Sequence, residues 1–343
     1  MSPPLVSICV PTYNGGQYLA ECLESIQAQS WRDFEVLILD DCSTDNTKAI
    51  ALDFASMDER FKVISNVANL GLVGNWNRCV ELASGAWIKF VFQDDALAPD
   101  GVERLLAATK SDTALVACSR EFTFEDETPE ELRSWYFANR HLIERAWGHS
   151  RSVSPSEFRE ATLAKPGANW VGEPTSVLFR REVFERFGQF NPDLIMSCDL
   201  EYWTRLAVNL GFEWVADRLA IFRIHEAATS ATNRASRAYR MNVLDDLIIM
   251  HEFAFDPIYA PLRAAGKART PPIDLSAMFN TKAAWAENVA CHPGRSAPGD
   301  QNTALREWNS VAKKYPRMRP PRPSAIRGLF NAISAFRRSL TRG

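Results

Sequence analysis

Two adjacent carboxylates, Asp94 and Asp95, stand at the end of an apolar run in the stretch FVFQDDALAPD (90–100). Neighbouring residues of a strand point to opposite faces, so both can serve one ligand only if the chain turns here, and Pro99 is consistent with a turn. Carboxylate oxygens, together with the phosphates of a substrate, are the ligands that Mg²⁺ or Mn²⁺ takes. The alternative is a solvated turn whose aspartates cap a helix beginning near Pro99, and this stretch alone leaves both open.

A second pair of carboxylates, Asp40 and Asp41, follows another apolar segment within LDDCSTDNT (39–47). Capping of the next helix explains the polar residues 43–45. It does not explain the aspartate pair. An aspartate placed here can accept hydrogen bonds from a nucleobase imide or from a ribose hydroxyl, which makes nucleotide binding a hypothesis for this turn.

The turn PTYNGG (11–16) follows the first apolar segment, LVSICV (5–10). Asn and Gly tolerate left-handed backbone geometry, so a simple strand-to-helix turn explains these residues as well as ligand binding does. A dinucleotide-binding fold would need GxGxxG here, and a P-loop would need GxxxxGK[ST]. The chain has neither motif, which disfavours both classes.

Apolar segments typical of strands alternate with helical periodicity through the first 119 residues. The predicted strands are 5–10, 34–40, 61–66, 86–92 and 113–119, and the helices between them include 17–29, 72–83 and 99–109. This pattern predicts an α/β fold whose mostly parallel sheet is covered by helices on both faces, with ligands beyond the carboxyl ends of the strands. The three polar turns all follow strands, so we expect them to open on one edge of the sheet.

The pattern loosens after residue 120. A charged, aromatic and partly helical excursion is followed by a strand and short helix at 174–188, a helix at 198–211 and a strand at 212–225. From 226 onward the sequence predicts helices, with linkers rich in Pro, Gly and Ala at 257–274 and 291–301. The resulting division is a domain over 1–225, a helical extension over 226–320 and a tail over 321–343.

Bulk composition disfavours several classes of protein. The 343 residues carry a net charge of −3 with a pI near 6.0, which does not favour nucleic-acid binding. Seven scattered cysteines without paired spacing indicate a reducing compartment instead of a disulfide framework or zinc site. No secretory signal and no apolar run near the roughly 20 residues of a membrane span is visible, so we expect a cytoplasmic protein.

Three segments taken together resemble the family-two glycosyltransferases, which are inverting enzymes of the GT-A fold. The similar segments are VSICVPTYNGGQYLAECLESIQAQSWRDFEVLILDDCSTDNT, NLGLVGNWNRCVELASGAWIKFVFQDDALAPDGVERL and GEPTSVLFRREVFERFGQFNPDLIMSCDLEYWTRLA. The resemblance covers about residues 5–225. It implies a GT-A domain with a nucleotide-sugar half over about 1–119 and an acceptor and catalytic half over 120–225.

The resemblance also implies roles for individual residues. It places Pro11, Tyr13 and Asn14 at the nucleobase, and Asp41, more than its neighbour Asp40, at the base or ribose. The DxD-type element of the family corresponds here to Gln93-Asp94-Asp95, which departs from a strict DxD. The resemblance favours Asp95 as the ligand of Mg²⁺ or Mn²⁺ and Asp94 as the partner of ribose or sugar. The remaining expected donor-pocket residues are Asn69, Gly71 and Arg78.

The catalytic base implied by the resemblance is Asp199, in SCDLEYW. A base must deprotonate an acceptor hydroxyl as it attacks the anomeric carbon opposite the leaving diphosphate. Glu201 lies about 200° further around a helix and points away, whereas a charge at the helix start, where Asp199 lies, is favourable. Simple capping of the helix is the alternative role of Asp199. A lone histidine is usually structural, but the position of His225 resembles the metal- or diphosphate-binding histidine of GT-A enzymes.

The resemblance implies transfer of one sugar from a nucleotide sugar, with UDP favoured, to a saccharide or lipid-linked saccharide in surface polysaccharide assembly. The QxxRW motif of polymer-forming members is absent. Rival hypotheses are a sugar-phosphate nucleotidyltransferase, which would need a glycine-rich basic signature after the first strand, and a non-catalytic nucleotide-sugar-binding module, which would not need Asp94, Asp95 and Asp199 together.

The tail forms a basic segment, with nine Lys or Arg and no acidic residue over 308–343. Its apolar residues fall on one side of a helix and are Ile326, Leu329, Phe330, Ile333, Phe336 and Leu340. A basic amphipathic helix can lie on an anionic membrane surface, which would make the protein peripheral to the membrane. Docking on the protein's own core explains the pattern equally well.

Overall fold

The computed structural model describes residues 4–319 except 127, 227, 229–232, 234–235 and 293–300. Its described residues form one sheet of nine strands. The strands are β1 (Val6–Thr12), β2 (Phe34–Asp40), β3 (Phe61–Ser65), β4 (Trp87–Phe90), β5 (Ala96–Leu97), β6 (Leu115–Phe124), β7 (Arg151–Val153), β8 (Val177–Arg180) and β9 (Phe212–Ile224). The predicted α/β class is confirmed.

The sheet places the carboxyl ends of six strands at one edge. Strand order is β3-β2-β1-β4-β8-β6-β9-β5, with β7 also paired to β9. Strands β1 to β4 run parallel, β8 is antiparallel to both β4 and β6, and β6 runs parallel to β9. Because only β8, β5 and β7 run the other way, the polar turns after β1, β2 and β4 share an edge with the end of β9.

Helices cover both faces of the sheet. The helices in the described residues are α1 (Leu19–Gln27), α2 (Thr47–Met57), α3 (Gly71–Leu82), α4 (Gly101–Ala107), α5 (Glu130–Trp147), α6 (Pro155–Ala164), α7 (Glu182–Phe187), α8 (Cys198–Leu210), α9 (Asp245–Phe255), α10 (Ala260–Ala268), α11 (Leu275–Cys291) and α12 (Gln301–Lys314). Alternate residues of β1 enter opposite cores: Ile8 packs with α1, whereas Cys9 packs with α3. Burial on both faces explains why these strands are continuously apolar.

The helical extension packs directly on the sheet domain. Residues 257–274, predicted as a linker, instead contain a 3₁₀ turn at Pro257–Tyr259 and helix α10. Tyr259 is fully buried, and its Oη donates to Glu201 Oε1 of α8 at 2.6 Å. The linker prediction is therefore wrong here, because composition did not reveal the apolar side of α10. The predicted linker at 291–301 and the predicted tail at 321–343 fall largely or wholly outside the described residues.

None of the helices in the described part of the chain is long and apolar enough to cross a membrane.

Candidate functional site

The turns after β1 and β2 are bound to each other. Asn14 has a left-handed backbone (φ 49°), and its Oδ1 accepts the amide of Thr44 at 2.8 Å. Its own amide donates to Ser43 Oγ at 2.9 Å, and the amide of Gly15 donates to Thr47 Oγ1 at 2.8 Å. The side-chain oxygen of Asn14 is therefore already hydrogen-bonded within the protein, so Asn14 stabilises the shape of the predicted nucleobase turn.

The turn after β1 is also tied to the acidic turn after β4. Gln93 Oε1 accepts the amide of Tyr13 at 2.9 Å, and Gln93 Nε2 donates to the carbonyl of Tyr13 at 3.2 Å. A Cβ on Gly15 would lie 2.1 Å from Gln93 Oε1, so only glycine allows this approach. Pro11 is buried within β1, whereas the side chain of Tyr13 is exposed. Tyr13 and Asn14 are both exposed, but the side-chain oxygen of Asn14 is used within the turn, so the ring of Tyr13 is the freer of the two side chains.

Asp41 is buried and serves as a structural clamp. Its Oδ1 accepts hydrogen bonds from the amide of Leu70 and from Asn66 Nδ2, both at 2.8 Å, and its Oδ2 accepts the amide of Gly71 at 2.9 Å. These amides lie at the beginning of α3, where main-chain donors have no helical partner. Both carboxylate oxygens of Asp41 are thus used by the protein.

Asp40 has fewer partners than Asp41. Its carboxylate is buried, and its Oδ1 and Oδ2 lie 3.3 and 3.4 Å from the amide nitrogen of Ser43. Both of these hydrogen bonds are long. Asn69 lies beside this turn, with Nδ2 donating to the carbonyl of Asp41 at 3.0 Å. Arg78, on α3, is half-buried and makes no hydrogen bond or ion pair with another described residue. The spare hydrogen-bonding capacity at this turn belongs to Asp40, and the arrangement favours it over Asp41 as a ligand contact.

Substitution of Asp41 by asparagine should lower the free energy of unfolding by about 2 kcal/mol. The new amide group would face main-chain N–H groups and leave a buried donor unsatisfied, which costs about 1–3 kcal/mol. Urea denaturation measures this change. Asp53→Asn, at an exposed position of α2, is the matched control and should shift stability by less than about 0.5 kcal/mol. Equal stability of the two variants would contradict a clamp role.

The acidic turn separates its two aspartates. Asp94 Oδ2 lies 3.0 Å from Nε2 of His225, which follows β9. Asp95 is buried, its Oδ2 accepts from Thr175 Oγ1 at 2.5 Å and its Oδ1 accepts from the amide of Arg223 at 3.1 Å. Burial, followed by the charge of Asp94, raises the pKa of Asp95 well above its usual range. The chain turn inferred from the sequence thus directs the two carboxylates to different partners.

This geometry favours Asp94 over Asp95 as a metal ligand. Asp94 Oδ2 and His225 Nε2 are close enough for one ion to contact both, whereas both oxygens of Asp95 already accept hydrogen bonds. No group of three His, Cys, Asp or Glu side chains able to hold a metal is found among the residues that the structure describes. Mg²⁺ at nucleotide sites is usually bound through one or two carboxylates plus substrate phosphates, and the carboxylate of Asp94, with His225 beside it, fits that pattern.

Asp199 lies in the first turn of helix α8 and is half-buried. Its Oδ2 accepts a hydrogen bond from Asn169 Nδ2 at 3.2 Å. Burial raises the pKa of Asp199 to about 7, which is near the value that suits a general base at neutral pH. Glu201 is directed elsewhere: it forms an ion pair with Arg205 and accepts from the buried Tyr259.

A segment in which the sequence analysis assigned no individual residue a role connects Asp199 to the acidic turn. Within residues 169–177, Asn169 contacts Asp199 and Thr175 contacts Asp95. Lys89, buried in β4, donates to the carbonyls of Thr175 and Val177, the latter at 3.3 Å. Burial lowers the pKa of Lys89 to about 8. In the sequence, the lysine inside the apolar run AWIKFVF was the feature that could have indicated this buried polar contact.

Comparison with known proteins places this chain in a family. The family model described as Glycosyl transferase family 2 matches residues 7–188, which is more than half of the chain. A Mycobacterium tuberculosis relative, the uncharacterized protein MT1568, is 33% identical over 255 residues, covering 74% of this chain and 77% of the relative.

Two solved structures have a similar fold. TarS residues 1–349 of S. aureus, in complex with UDP-GlcNAc, has a TM-score of 0.60 and 17% identity, covering 93% of this chain and 82% of TarS. The mannosyltransferase PcManGT from Pyrobaculum calidifontis, in complex with GDP-Man and Mn²⁺, has a TM-score of 0.52 and 18% identity, covering 92% of this chain and 83% of its own. These similarities confirm the predicted GT-A fold. With the family model matching across all three polar turns and through β8 and α7, the chain belongs to glycosyl transferase family 2.

Proposed function

We propose that this glycosyltransferase moves one sugar from a nucleotide sugar to a hydroxyl of a saccharide acceptor, with inversion at the anomeric carbon. The observation that carries the proposal is the half-buried carboxylate of Asp199, which segment 169–177 links to the acidic turn. The nucleotide sugars bound by TarS and PcManGT, proteins of similar fold, support a nucleotide-sugar donor.

The donor nucleotide would bind at the turns after β1 and β2. Tyr13 offers an exposed ring, and Asp40 offers a carboxylate with unused hydrogen-bonding capacity. Asn14 and Asp41 would act by fixing these turns. Asn69 and Gly71 border the same region, and Arg78, further along α3, would offer its guanidinium to a diphosphate oxygen. UDP remains the favoured nucleotide on the resemblance stated above.

Asp94 and His225 would hold a divalent cation with the diphosphate of the donor. Such a cation, Mg²⁺ or Mn²⁺, offsets the negative charge that builds on the leaving diphosphate. The Mn²⁺ bound by PcManGT supports this cofactor class. Asp95 would keep the turn in place through Thr175 and Arg223, which fixes the direction of the Asp94 carboxylate.

Asp199 would take the proton of the acceptor hydroxyl as its oxygen attacks the anomeric carbon. Attack from the face opposite the diphosphate breaks the bond to the leaving oxygen and inverts the configuration in a single displacement. Holding both substrates in line removes much of the entropic cost of the reaction. A saccharide or lipid-linked acceptor, a cytoplasmic location and a role in surface polysaccharide assembly belong to this proposal on the family resemblance alone, as does peripheral membrane binding by residues 321–343.

A nucleotide screen tests the donor and metal assignments. With Mn²⁺ present, the correct nucleoside diphosphate should stabilise the protein by about 2.7 kcal/mol when supplied at 100 times its dissociation constant. We expect Asp94→Asn and His225→Ala to lose most of the metal-dependent part of this thermal shift, because each removes one ligand of the cation.

The control for this screen is Asp112→Asn, at an exposed position before β6, which should retain the full shift. Stabilisation by no nucleoside diphosphate in the presence of either metal would overturn the proposed function. A metal-dependent shift that survives Asp94→Asn but disappears in Asp95→Asn would return the ligand role to Asp95.

A further inference from the structure

We propose that Asn169 is the positioning residue of the catalytic base: its amide holds Oδ2 of Asp199 and thereby presents the carboxylate to the acceptor hydroxyl. The inference rests on the proposed function, since it assumes that Asp199 accepts the proton. It concerns a residue outside the three sequence segments that resemble the family.

The orientation of the Asn169 amide is fixed by its neighbours. Oδ1 accepts the main-chain amides of Val171 at 3.1 Å and Gly172 at 2.9 Å, and two N–H donors can face only the oxygen of the side chain. Nδ2 must therefore lie on the other side, where it donates to the carbonyl of Gly172 at 3.0 Å and to Asp199 Oδ2 at 3.2 Å. All four contacts require the same orientation of the side-chain amide, so Asn169 can only be a hydrogen-bond donor towards Asp199.

The loop that carries Asn169 is tightly constrained. Gly172 has φ of +128°, and a Cβ there would lie 2.5 Å from Ser176 Oγ, so glycine is needed. Ser176 Oγ donates to the carbonyl of Glu173 at 2.7 Å. Trp147 Nε1, from α5, donates to the carbonyl of Trp170 at 2.7 Å. These contacts hold the chain that directly follows Asn169 and so restrict where its side chain can lie.

A neutral donor suits the charges that surround Asp199. Burial and the negative charge of Glu173 disfavour the ionised carboxylate, while Arg120 favours it. Arg120 and Glu173 form an ion pair with each other, which reduces the net field of both. On α8 itself, Cys198 is buried as a thiol, and Glu201 is paired with Arg205. A hydrogen bond from Asn169 favours the charged form of Asp199 without adding a charge that must be balanced.

Asn169→Asp is the most informative variant. The carboxylate that it introduces retains an oxygen for the amides of Val171 and Gly172, so the loop should fold. The second oxygen of that carboxylate would replace Nδ2 and face both Asp199 and the carbonyl of Gly172. Two carboxylates that share a site raise the pKa of one of them. We expect the acidic limb of kcat/KM against pH to move upward by at least about one pH unit, with the KM for the donor unchanged.

Asn209→Asp is the matched control, because Asn209 lies on α8 and donates only to the carbonyls of Arg205 and Ile258. It adds the same charge to the same helix about 15 Å from Asp199 and should leave the acidic limb in place. If Asn169→Asp fails to fold, Asn169→Ala serves instead, with an upward shift in pH that is smaller because no charge is added.

The outcomes separate this inference from the proposed function. An upward shift in either Asn169 variant, absent in Asn209→Asp, supports the positioning role. An unchanged pH profile in the folded Asn169 variant, with Asp199→Asn inactive, overturns the positioning role and leaves the base assignment standing. Full activity of Asp199→Asn overturns the base assignment, and the role of Asn169 falls with it.

Discussion

Replacement of Asp199 by asparagine is expected to lower kcat by about 10²- to 10⁴-fold, which is the usual contribution of a positioned general base. Asparagine has nearly the same shape and can still contact Asn169, so the loop and helix α8 should remain in place. Donor binding depends on the turns after β1, β2 and β4, and it should be unchanged. Initial rates measured with saturating donor, together with the donor dissociation constant, test both expectations.

The pH dependence of the same reaction follows from the raised pKa of Asp199. Because burial raises this pKa to about 7, the carboxylate is protonated below that pH and cannot accept the hydroxyl proton. The rate should therefore rise with pH and reach a plateau above about 7. A rate that is flat between pH 5 and 8 would show that no group with this pKa takes part.

Asp199→Asn should also change the stability of the protein, by an amount that depends on pH. A carboxyl group whose pKa is higher in the folded protein than in the unfolded chain stabilises the fold at low pH and loses that contribution as the pH rises through about 7. Asparagine cannot ionise, so the variant should be more stable than the parent at pH 8 and nearly equal at pH 4. Asp217→Asn, a change at the exposed Asp217–Arg104 ion pair, controls for loss of one surface charge. Lower stability of Asp199→Asn at pH 8 would contradict the assigned environment.

The edge on which the site lies could be predicted from the sequence. Continuous apolar strands alternating with helices require a parallel sheet, and a parallel sheet brings the turns at 11–14, 40–45 and 93–95 together. The roles within each aspartate pair could not be predicted, since they depend on distant contacts. The partners of Asp41 are amides at the beginning of α3, and His225 lies 131 residues beyond Asp94.

The dependence of α8 on the helical extension was also not predictable. Asp245 begins α9, and in the sequence it has the character of an ordinary acidic residue in a first helical turn. In the structure it is fully buried, and its Oδ2 accepts the amides of Ile195, Met196 and Ser197 at 3.0, 2.8 and 3.2 Å. Ser197 precedes α8 directly, so the extension fixes the segment that leads to Asp199.

Substitution of Asp245 by alanine is therefore expected to have the largest effect on stability, a loss of about 3–5 kcal/mol. It would leave three main-chain donors without their acceptor and would also leave Arg240, which donates to Asp245 Oδ1 at 2.9 Å, as a buried unpaired charge. Removal of one partner of a buried ion pair costs about this much. Urea denaturation followed by far-UV circular dichroism measures the loss.

The adjacent residue supplies the matched control for this prediction. Asp246 is half-exposed and forms an ion pair with Lys282, so Asp246→Ala should cost no more than about 1 kcal/mol. Because Asp245 holds the segment before Asp199, the folded fraction of Asp245→Ala should also have a reduced kcat, with donor affinity unchanged. Full kcat in folded Asp245→Ala would show that α8 keeps the position of Asp199 without the extension, and an equal loss of stability in both variants would remove the special role of Asp245.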